Sequence, residues 1–214
     1  MADYTNISDV KADMPDSPLF ASTSQTYDGV ITGMITAASR LIDKEVGGWV
    51  NYFNPSTVDE TRYFDGNGEE EIYIDPLVTL TSLSVAESGG RAATDYTAWT
   101  LNTDFYILPA NYSSWSMPIM GFAVDNDSGS KGVFTRSKKA LKVVGVFGYS
   151  AYPPDDIRQA CKITAVRWFM RAKQGWQDAS ANAAIGELIY AKALDPDVIE
   201  LLRPYKVFNL IGGL

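Results

Sequence analysis

The chain has 214 residues, of which 46% are hydrophobic and 21% charged, a composition typical of a globular protein that buries a core. Its net charge is −8 and its pI is near 4.5, which argues against DNA binding through the phosphates, because that requires a basic surface. It contains no histidine, which excludes Ser-His-Asp, Cys-His and histidine-metal chemistry within this chain.

The N-terminal part of the chain is predicted to be helical. A short helix is expected over about 7–13, followed by a Ser/Thr/Pro loop that runs to residue 26. A longer helix is predicted from Tyr27 to Gly47, because apolar residues recur at helical spacing along one face. These residues are Ile31, Met34 or Ile35, Ala38, and Leu41 or Ile42. Gly47 and Gly48 end this helix.

The pattern changes in the middle of the chain, between residues 61 and 146. Short runs rich in β-branched and aromatic residues are separated by turn residues, as expected for strands. The clearest runs are 71–75, 80–85, 105–108, 121–124 and 141–147. We predict a small antiparallel β unit of five to seven strands.

A strand gives way to a long helix within Val143–Ala160. The apolar run of residues 143–147 is typical of a buried strand, and Gly148 breaks it. Pro153 and Pro154 suit the first turn of a helix, where a missing N–H costs nothing. The acidic pair Asp155–Asp156 favours the same turn electrostatically. An apolar stripe then follows at Ile157, Cys161, Thr164 or Ala165, and Trp168.

Two further helices are expected before the C-terminus. The pattern predicts a helix from about Ala183 to Leu202, which Pro196 interrupts, and Asp195 is expected to cap the second part. After Pro204 the chain is unusually apolar for a terminus, since disordered ends are usually poor in such residues. This tail either folds back on its own domain or docks on another subunit.

These elements predict an α+β fold. Helices from both ends of the chain form a small bundle, and the antiparallel β unit is inserted between the second and third main helices. The expected organisation is 1–58 for the N-terminal helices, 59–148 for the β unit, 149–203 for the C-terminal helices and 204–214 for the apolar tail.

No catalytic, cofactor or metal site is predicted. The sequence has no phosphate-binding P-loop and no dinucleotide fingerprint. The acidic segment 125–130 resembles a calcium loop, but its glycine falls one position early and Arg136 stands where the closing glutamate should be. We interpret this segment and the acidic segment 65–71 as turns. Cys161 is interpreted as a small buried hydrophobe.

The sequence also bears on targeting and on the residues expected at the surface. The N-terminus lacks a signal-peptide pattern and no apolar run is long enough for a membrane helix, so we expect a soluble protein made in a reducing cytosol. Basic residues of the predicted helix form either a solvated face or inter-subunit ion pairs: Arg158, Lys162, Arg167, Arg171 and Lys173. The aromatic residues of the β unit form either core or an interaction platform: Tyr96, Trp99, Tyr106, Tyr112 and Trp115.

Five segments of the chain resemble the head–tail connector (adaptor) proteins of long-tailed bacteriophages, and they follow one another in the same order as in those proteins. The passage Val143–Ala160 resembles their strand-to-helix junction, and the others resemble their first helix, second helix, β-insertion opening and closing helix with tail. These others are Ile7–Pro15, Tyr27–Val46, Thr61–Gly68 with Ile74–Leu77, and Leu194–Tyr205. The resemblance covers nearly the whole chain.

The resemblance implies a non-enzymatic structural protein of the virion neck, made in the host bacterial cytoplasm. It implies a twelve-subunit ring below the portal protein, which extends the DNA channel used in genome packaging and ejection and carries the next neck or tail protein. DNA would pass through the lumen without specific binding. The portal-binding residues implied are Arg203, Pro204, Tyr205, Val207, Phe208, Leu210, Ile211 and Leu214.

Two alternatives remain open. One is a carbohydrate-binding module or a carboxylate-type glycosidase of a phage, using the Trp/Tyr cluster and a pair of carboxylates across a cleft. The other is a stopper or tail-terminator ring, although those families are more β-rich than this helix–β–helix order.

Overall fold

The computed structural model describes residues 3–14, 25–86, 95–127, 129–173, 179–182, 187–190 and 194–206, with the backbone alone for 179–182 and 187–190. The chain divides into two compact units. Residues 1–51 and 153–214 form one, here called the helical unit, and residues 52–152 form the other, here called the sheet unit. Helices and an antiparallel sheet are both present, so the predicted α+β class is confirmed.

The N-terminal half of the helical unit contains two helices, α1 (Ile7–Ala12) and α2 (Asp28–Val46). The Asn6 side chain accepts a hydrogen bond from the Asp9 backbone N–H at 2.8 Å and so caps α1. Helix α2 buries one face at helical spacing, comprising Ile31, Ile35, Ala38, Ile42 and Val46. It ends at Gly47, whose φ of 78° is left-handed and favours glycine.

The C-terminal half begins with α3 (Asp155–Lys173), which follows the predicted proline pair. Its buried face packs on α2, and the ring of Phe169 meets that of Tyr27 edge-to-face at 5.6 Å between centroids. Helix α4 (Pro196–Leu202) is capped by Asp195, whose side chain accepts from the Asp197 N–H at 3.0 Å. The predicted cap at this position is therefore confirmed.

The helix expected over 183–195 is wrong in part. Strands β7 (Ala179–Asn182) and β8 (Glu187–Tyr190) pair as an antiparallel two-stranded sheet there. The sequence pattern predicted a helix from about Ala183, but helix propensity is a weak prior. Strand β8 directly follows Gly186 and contains isoleucine and tyrosine, which favour strands.

The sheet unit contains six strands with the order β1-β6-β2-β5-β4, and β3 also pairs with β2. Their bounds are β1 (Glu60–Phe64), β2 (Glu71–Ala86), β3 (Tyr96–Trp99), β4 (Phe105–Leu108), β5 (Ile119–Val124) and β6 (Leu141–Phe147). All the pairings between these strands are antiparallel. Strand β2 is central, with β6 along one edge and β5 and then β3 along the other.

The predicted strands 71–75 and 80–85 are one continuous strand, β2, rather than two. Its register shifts between Tyr73 and Leu77, where Pro76 lies, and again at two points towards residue 82. A bulge tolerates a proline that a regular central strand would not. Pro76 thus lies at an irregularity within a strand that the sequence pattern predicted as two.

Two glycines of the partner strands let β2 approach closely at these irregularities. A Cβ on Gly145 would lie 2.1 Å from the Thr79 carbonyl oxygen, and one on Gly121 would lie 2.3 Å from that of Ile72. Both oxygens belong to the β2 backbone, so no side chain is tolerated at either position.

The core of the sheet unit is aromatic. The rings of Phe105 and Phe122 meet edge-to-face at 5.4 Å, and that of Trp99 stacks on Phe134 at 5.2 Å. Where the chain enters and leaves the unit, the Tyr149 N–H donates to the Tyr52 carbonyl at 2.8 Å. Burial raises the pKa of both tyrosines above the usual range. The two ends of the inserted segment therefore lie side by side.

Candidate functional site

The predicted portal-binding segment begins in a described part of the chain and continues beyond it. Residues Arg203–Tyr205 form a 3₁₀ turn directly after α4. The Tyr205 hydroxyl lies 3.2 Å from an Asp156 carboxylate oxygen, to which it donates, in the first turn of α3. The rest of the predicted set lies outside the described residues: Val207, Phe208, Leu210, Ile211 and Leu214. The tail therefore starts beside the N-terminus of α3.

Three of the four predicted inter-subunit cations have carboxylate partners within the helical unit. Arg158 pairs with Asp155 at 3.2 Å, in a solvent-exposed i,i+3 pair. Lys162 pairs with Asp13 at 2.7 Å, and Arg167 with Asp195 at 3.3 Å. Arg171 is half-buried. Pairing of these cations with a neighbouring copy stays a prediction.

The ion pairs of Lys162 and Arg167 connect three parts of the helical unit. Asp13 lies at the C-terminal end of α1, and Asp195 caps α4. Each pair is partly exposed, with lysine or arginine side chains 21% and 24% accessible. Exposed pairs contribute little to stability. Their main effect is to position α1 and α4 against α3.

A groove of about 680 Å³ lies between these ion pairs. Gln159, Ile163 and Val166 of α3 line it together with Asp13, Arg167 and Asp195. With the exposed Met170, Ile163 and Val166 form a second apolar stripe on α3, at spacings of three and four residues, separate from its buried stripe. This stripe was not among the sequence-based predictions, although residues 163, 166 and 170 recur at helical spacing.

The aromatic residues of the sheet unit divide between core and surface. Trp99 is only 7% exposed and belongs to the core. The Tyr96 hydroxyl donates to the Lys139 carbonyl at 2.8 Å. Trp115 is 60% exposed, whereas Tyr112 is half-buried. A sugar platform that includes Trp99 would therefore need the core to open.

Both acidic loops contain carboxylates engaged within the sheet unit. Asp125 is buried and accepts from the Tyr106 hydroxyl at 2.7 Å and from the Asp127 N–H at 3.0 Å. Asp65 accepts from the Lys138 ammonium at 2.5 Å and from the Lys139 N–H at 2.8 Å. These hydrogen bonds lower the pKa of Asp65. Within the described part of the chain, no group of three His, Cys, Asp or Glu side chains is arranged to hold a metal ion.

Cys161 lies on the buried face of α3 and is fully inaccessible. Its sulfur is 3.5 Å from the Ser39 hydroxyl and 3.8 Å from the Ile35 carbonyl oxygen of α2. Burial raises the pKa of this thiol to about 11. The thiol is therefore protonated at neutral pH, as expected of a packing residue.

None of the helices in the described ranges is both long and apolar enough to span a bilayer.

Comparisons with known proteins find likeness in structure alone. No protein-family model matches the chain, and no curated protein matches it. A chain in the solved virion of a native gene transfer agent particle is similar, with a TM-score of 0.52 and 12% identity over 98% of this chain and 93% of that chain. At this identity the likeness shows a shared fold.

Two further similar chains come from particle necks. One, in the neck of an empty gene transfer agent particle, has a TM-score of 0.48 and 12% identity over 98% of this chain and 93% of that one. The other, in the neck of the native particle, has a TM-score of 0.47 and 13% identity over 87% of this chain and 86% of that one. Both scores are below 0.5.

Proposed function

We propose that this chain is a structural virion protein of the neck of a phage-like particle, a head–tail connector of the adaptor type. The observation that carries the proposal is the architecture: a helical unit built from both ends of the chain, with an antiparallel sheet unit inserted between its two halves in sequence. A chain of a gene transfer agent virion shares this fold along 98% of the present chain. The ordered sequence resemblance to adaptors supports the same role independently.

In this proposal the protein acts as one copy of a twelve-subunit ring below the portal. The ring lengthens the DNA channel and offers its other end to the next neck or tail protein. The net charge of −8 suits a channel through which DNA slides, because acidic surface repels phosphates. A ring whose lumen is net basic would contradict this part of the proposal.

The apolar tail is the proposed portal-binding segment. It starts at Arg203 and Pro204, both exposed, directly after the buried end of α4. Tyr205 holds this starting point against Asp156. Five apolar or aromatic residues follow, and burying them on the portal would supply binding free energy that is available only when the portal is present.

The first test removes the gene from the phage and examines lysates by negative-stain electron microscopy. We expect heads that are either packed with DNA or leaking it, beside separate, finished tails, because the joint between head and tail would be missing. Normally joined virions would refute the connector assignment. Expression of the intact gene in trans should restore joined particles.

The second test concerns the tail and uses two truncations with purified portal protein. Deletion of 207–214 keeps the Tyr205–Asp156 contact, whereas deletion of 204–214 removes it as well. We expect both proteins to stay folded by circular dichroism and both to lose portal attachment in co-sedimentation. A truncated protein that still binds the portal would refute the role of the tail, and would leave the lysate test unaffected.

A further inference from the structure

The outer face of the sheet unit carries two tyrosines at one end of strands β2, β5 and β4. The register aligns Glu71 with Ala123 and Ala123 with Tyr106, and aligns Tyr73 with Gly121. Residues paired across strands point to the same side, and side chains two apart share a face. Tyr73 and Tyr106 therefore lie on one face, with only glycine and alanine on the strand between them. We call these two residues and Glu71 the tyrosine face.

Both tyrosine rings are open to solvent. Tyr73 is 62% exposed and Tyr106 is 44% exposed, while the opposite side of the same strands holds the buried Ile72 and Phe122. From strand spacing, their Cα atoms are roughly 12 Å apart. A single exposed aromatic residue is ordinary, but two on one sheet face with a floor of small residues form an interaction surface.

Each tyrosine hydroxyl has a carboxylate partner. Tyr106 donates to Asp125 at 2.7 Å, and Tyr73 lies 3.4 Å from a Glu71 carboxylate oxygen. The hydrogen bond to Asp125, with further repulsion from Asp127, raises the pKa of Tyr106. A partner therefore meets mainly the ring faces of the two tyrosines and the carboxylates beside them.

The charged side chains on the strands of this face are acidic, and the nearby Arg62 of β1 is already paired with Asp75 at 3.0 Å. Strands β2, β4 and β5 contain no lysine or arginine. Glu71 and Asp127 are exposed beside the rings. Such a surface repels phosphates and attracts cations. Arginine fits it better than lysine, because a guanidinium both stacks on aromatic rings and binds carboxylates through two N–H groups.

We propose that the tyrosine face is a docking surface for an arginine-bearing, basic segment of a partner protein. Guanidinium groups stack on Tyr73 and Tyr106, and Glu71 accepts hydrogen bonds from them. This inference goes beyond the proposed function and does not require it, since it assigns a binding surface on the sheet unit whatever ring the chain forms.

The test measures binding of short fluorescent peptides to the full-length protein by fluorescence anisotropy. One probe alternates arginine and glycine, a second replaces each arginine by lysine, and a third replaces it by uncharged citrulline. We expect the arginine probe to bind about tenfold more tightly than the lysine probe, as stacking and bidentate contacts are lost. The citrulline probe should not bind measurably.

Variants locate the binding on the protein. Tyr73→Leu combined with Tyr106→Leu should weaken the arginine probe at least about tenfold. Tyr152→Leu is the matched control, because Tyr152 is 81% exposed in the same unit and away from these strands in sequence. Tyr106→Phe keeps the ring and should retain most of the binding. Tyr73→Leu alone alters only a surface side chain, so it tests the face even if the double variant misfolds.

Two outcomes would overturn the proposal. One is equal affinity for the arginine and lysine probes together with equal loss in the Tyr152 control, which would mean nonspecific attraction to an acidic protein. The other is self-association of the purified chain, measured by analytical ultracentrifugation, that disappears in Tyr73→Leu. In that case the occupant of the face is a second copy of this chain.

Discussion

The two units of this protein are built from the chain in opposite ways. The sheet unit is one continuous stretch, and its first residue, Tyr52, is hydrogen-bonded to Tyr149, three residues before its last. The helical unit joins residues from both ends of the chain and depends on contacts between segments far apart in sequence. An insertion is tolerated when its ends are close, because it then leaves the host's geometry unchanged.

The interiors differ as well. The sheet unit is held by aromatic packing and closely spaced backbones, whereas the helical unit contains a buried polar cluster next to its apolar face. Asp43, at the centre of that cluster, is only 3% exposed. Its carboxylate accepts hydrogen bonds from the Tyr4 hydroxyl and the Asn51 backbone N–H, and it forms an ion pair with Arg40 at 3.3 Å. The Tyr4 N–H donates to Ser39 at 3.1 Å. Directional contacts therefore attach the N-terminal segment to α2.

The largest effect should come from removing an aromatic ring of the sheet unit. Phe122 is fully buried against Phe105, so Phe122→Ala should lower the free energy of unfolding by about 3–5 kcal/mol. Hydrogen exchange with mass spectrometry should show the loss of protection in 52–152 first. The matched change Ile42→Ala in α2 should instead cause the first loss of hydrogen-exchange protection in the helical unit. Equal loss in both units for both variants would refute the division.

The next effect should come from the polar cluster. Asp43→Ala leaves the Arg40 guanidinium and the Asn51 N–H without this acceptor, and we expect a loss of about 2–4 kcal/mol in urea denaturation. Tyr4→Phe removes one hydroxyl and should cost about 1 kcal/mol. If the two variants are equally stable, the cluster does not attach the N-terminal segment in the way described.

A pH effect should come from the buried thiol of the helical unit, and the variant Cys161→Ala separates it from the effects of other groups. Its pKa is about 11 in the folded protein against 9.0 as the ordinary value, so the unfolded chain loses the proton first as pH rises. The contribution of the protonated thiol to the free energy of unfolding is complete below about pH 9 and is lost as the pH rises towards 11. Between pH 8 and pH 10, the free energy of unfolding of the wild type should fall by about 1.4 kcal/mol more than that of Cys161→Ala. A constant difference between the two proteins would contradict a shifted thiol.

The smallest effect should come from the cap of α4. Asp195→Ala removes the acceptor for the Asp197 N–H and the partner of Arg167, and should cost about 1 kcal/mol. Asp195→Asn keeps a capping oxygen and loses mainly the ion pair, which is partly exposed, so it should cost clearly less. If Asn is as harmful as Ala in thermal unfolding, the ion pair rather than the cap holds α4.

Local patterns predicted much of the helical unit. The apolar spacing of α2, the proline pair before α3 and the cap of α4 at Asp195 all act within a few residues, and the structure has them where the sequence places them. The same reasoning failed at 187–190, where the sequence pattern predicted a helix and the chain forms a paired strand. It failed again at Pro76, where a bulge in β2 replaced the expected break.

The candidate surfaces depended more on tertiary structure. The sequence selected the cations of α3, but only the fold pairs Lys162 with Asp13 and Arg167 with Asp195. It grouped five aromatic residues, but only the register puts Trp99 in the core and Tyr106 on the same face as Tyr73.

The sequence by itself determined the fold class, the main helices with their ends, and the acidic charge, because each follows from residues close together in the chain or from composition. The tertiary structure decided the strand order, the bulged central strand, the polar cluster around Asp43 and the tyrosine face. These arise from pairings between distant residues, whose free energy depends on register and burial, and neither is encoded in any short segment.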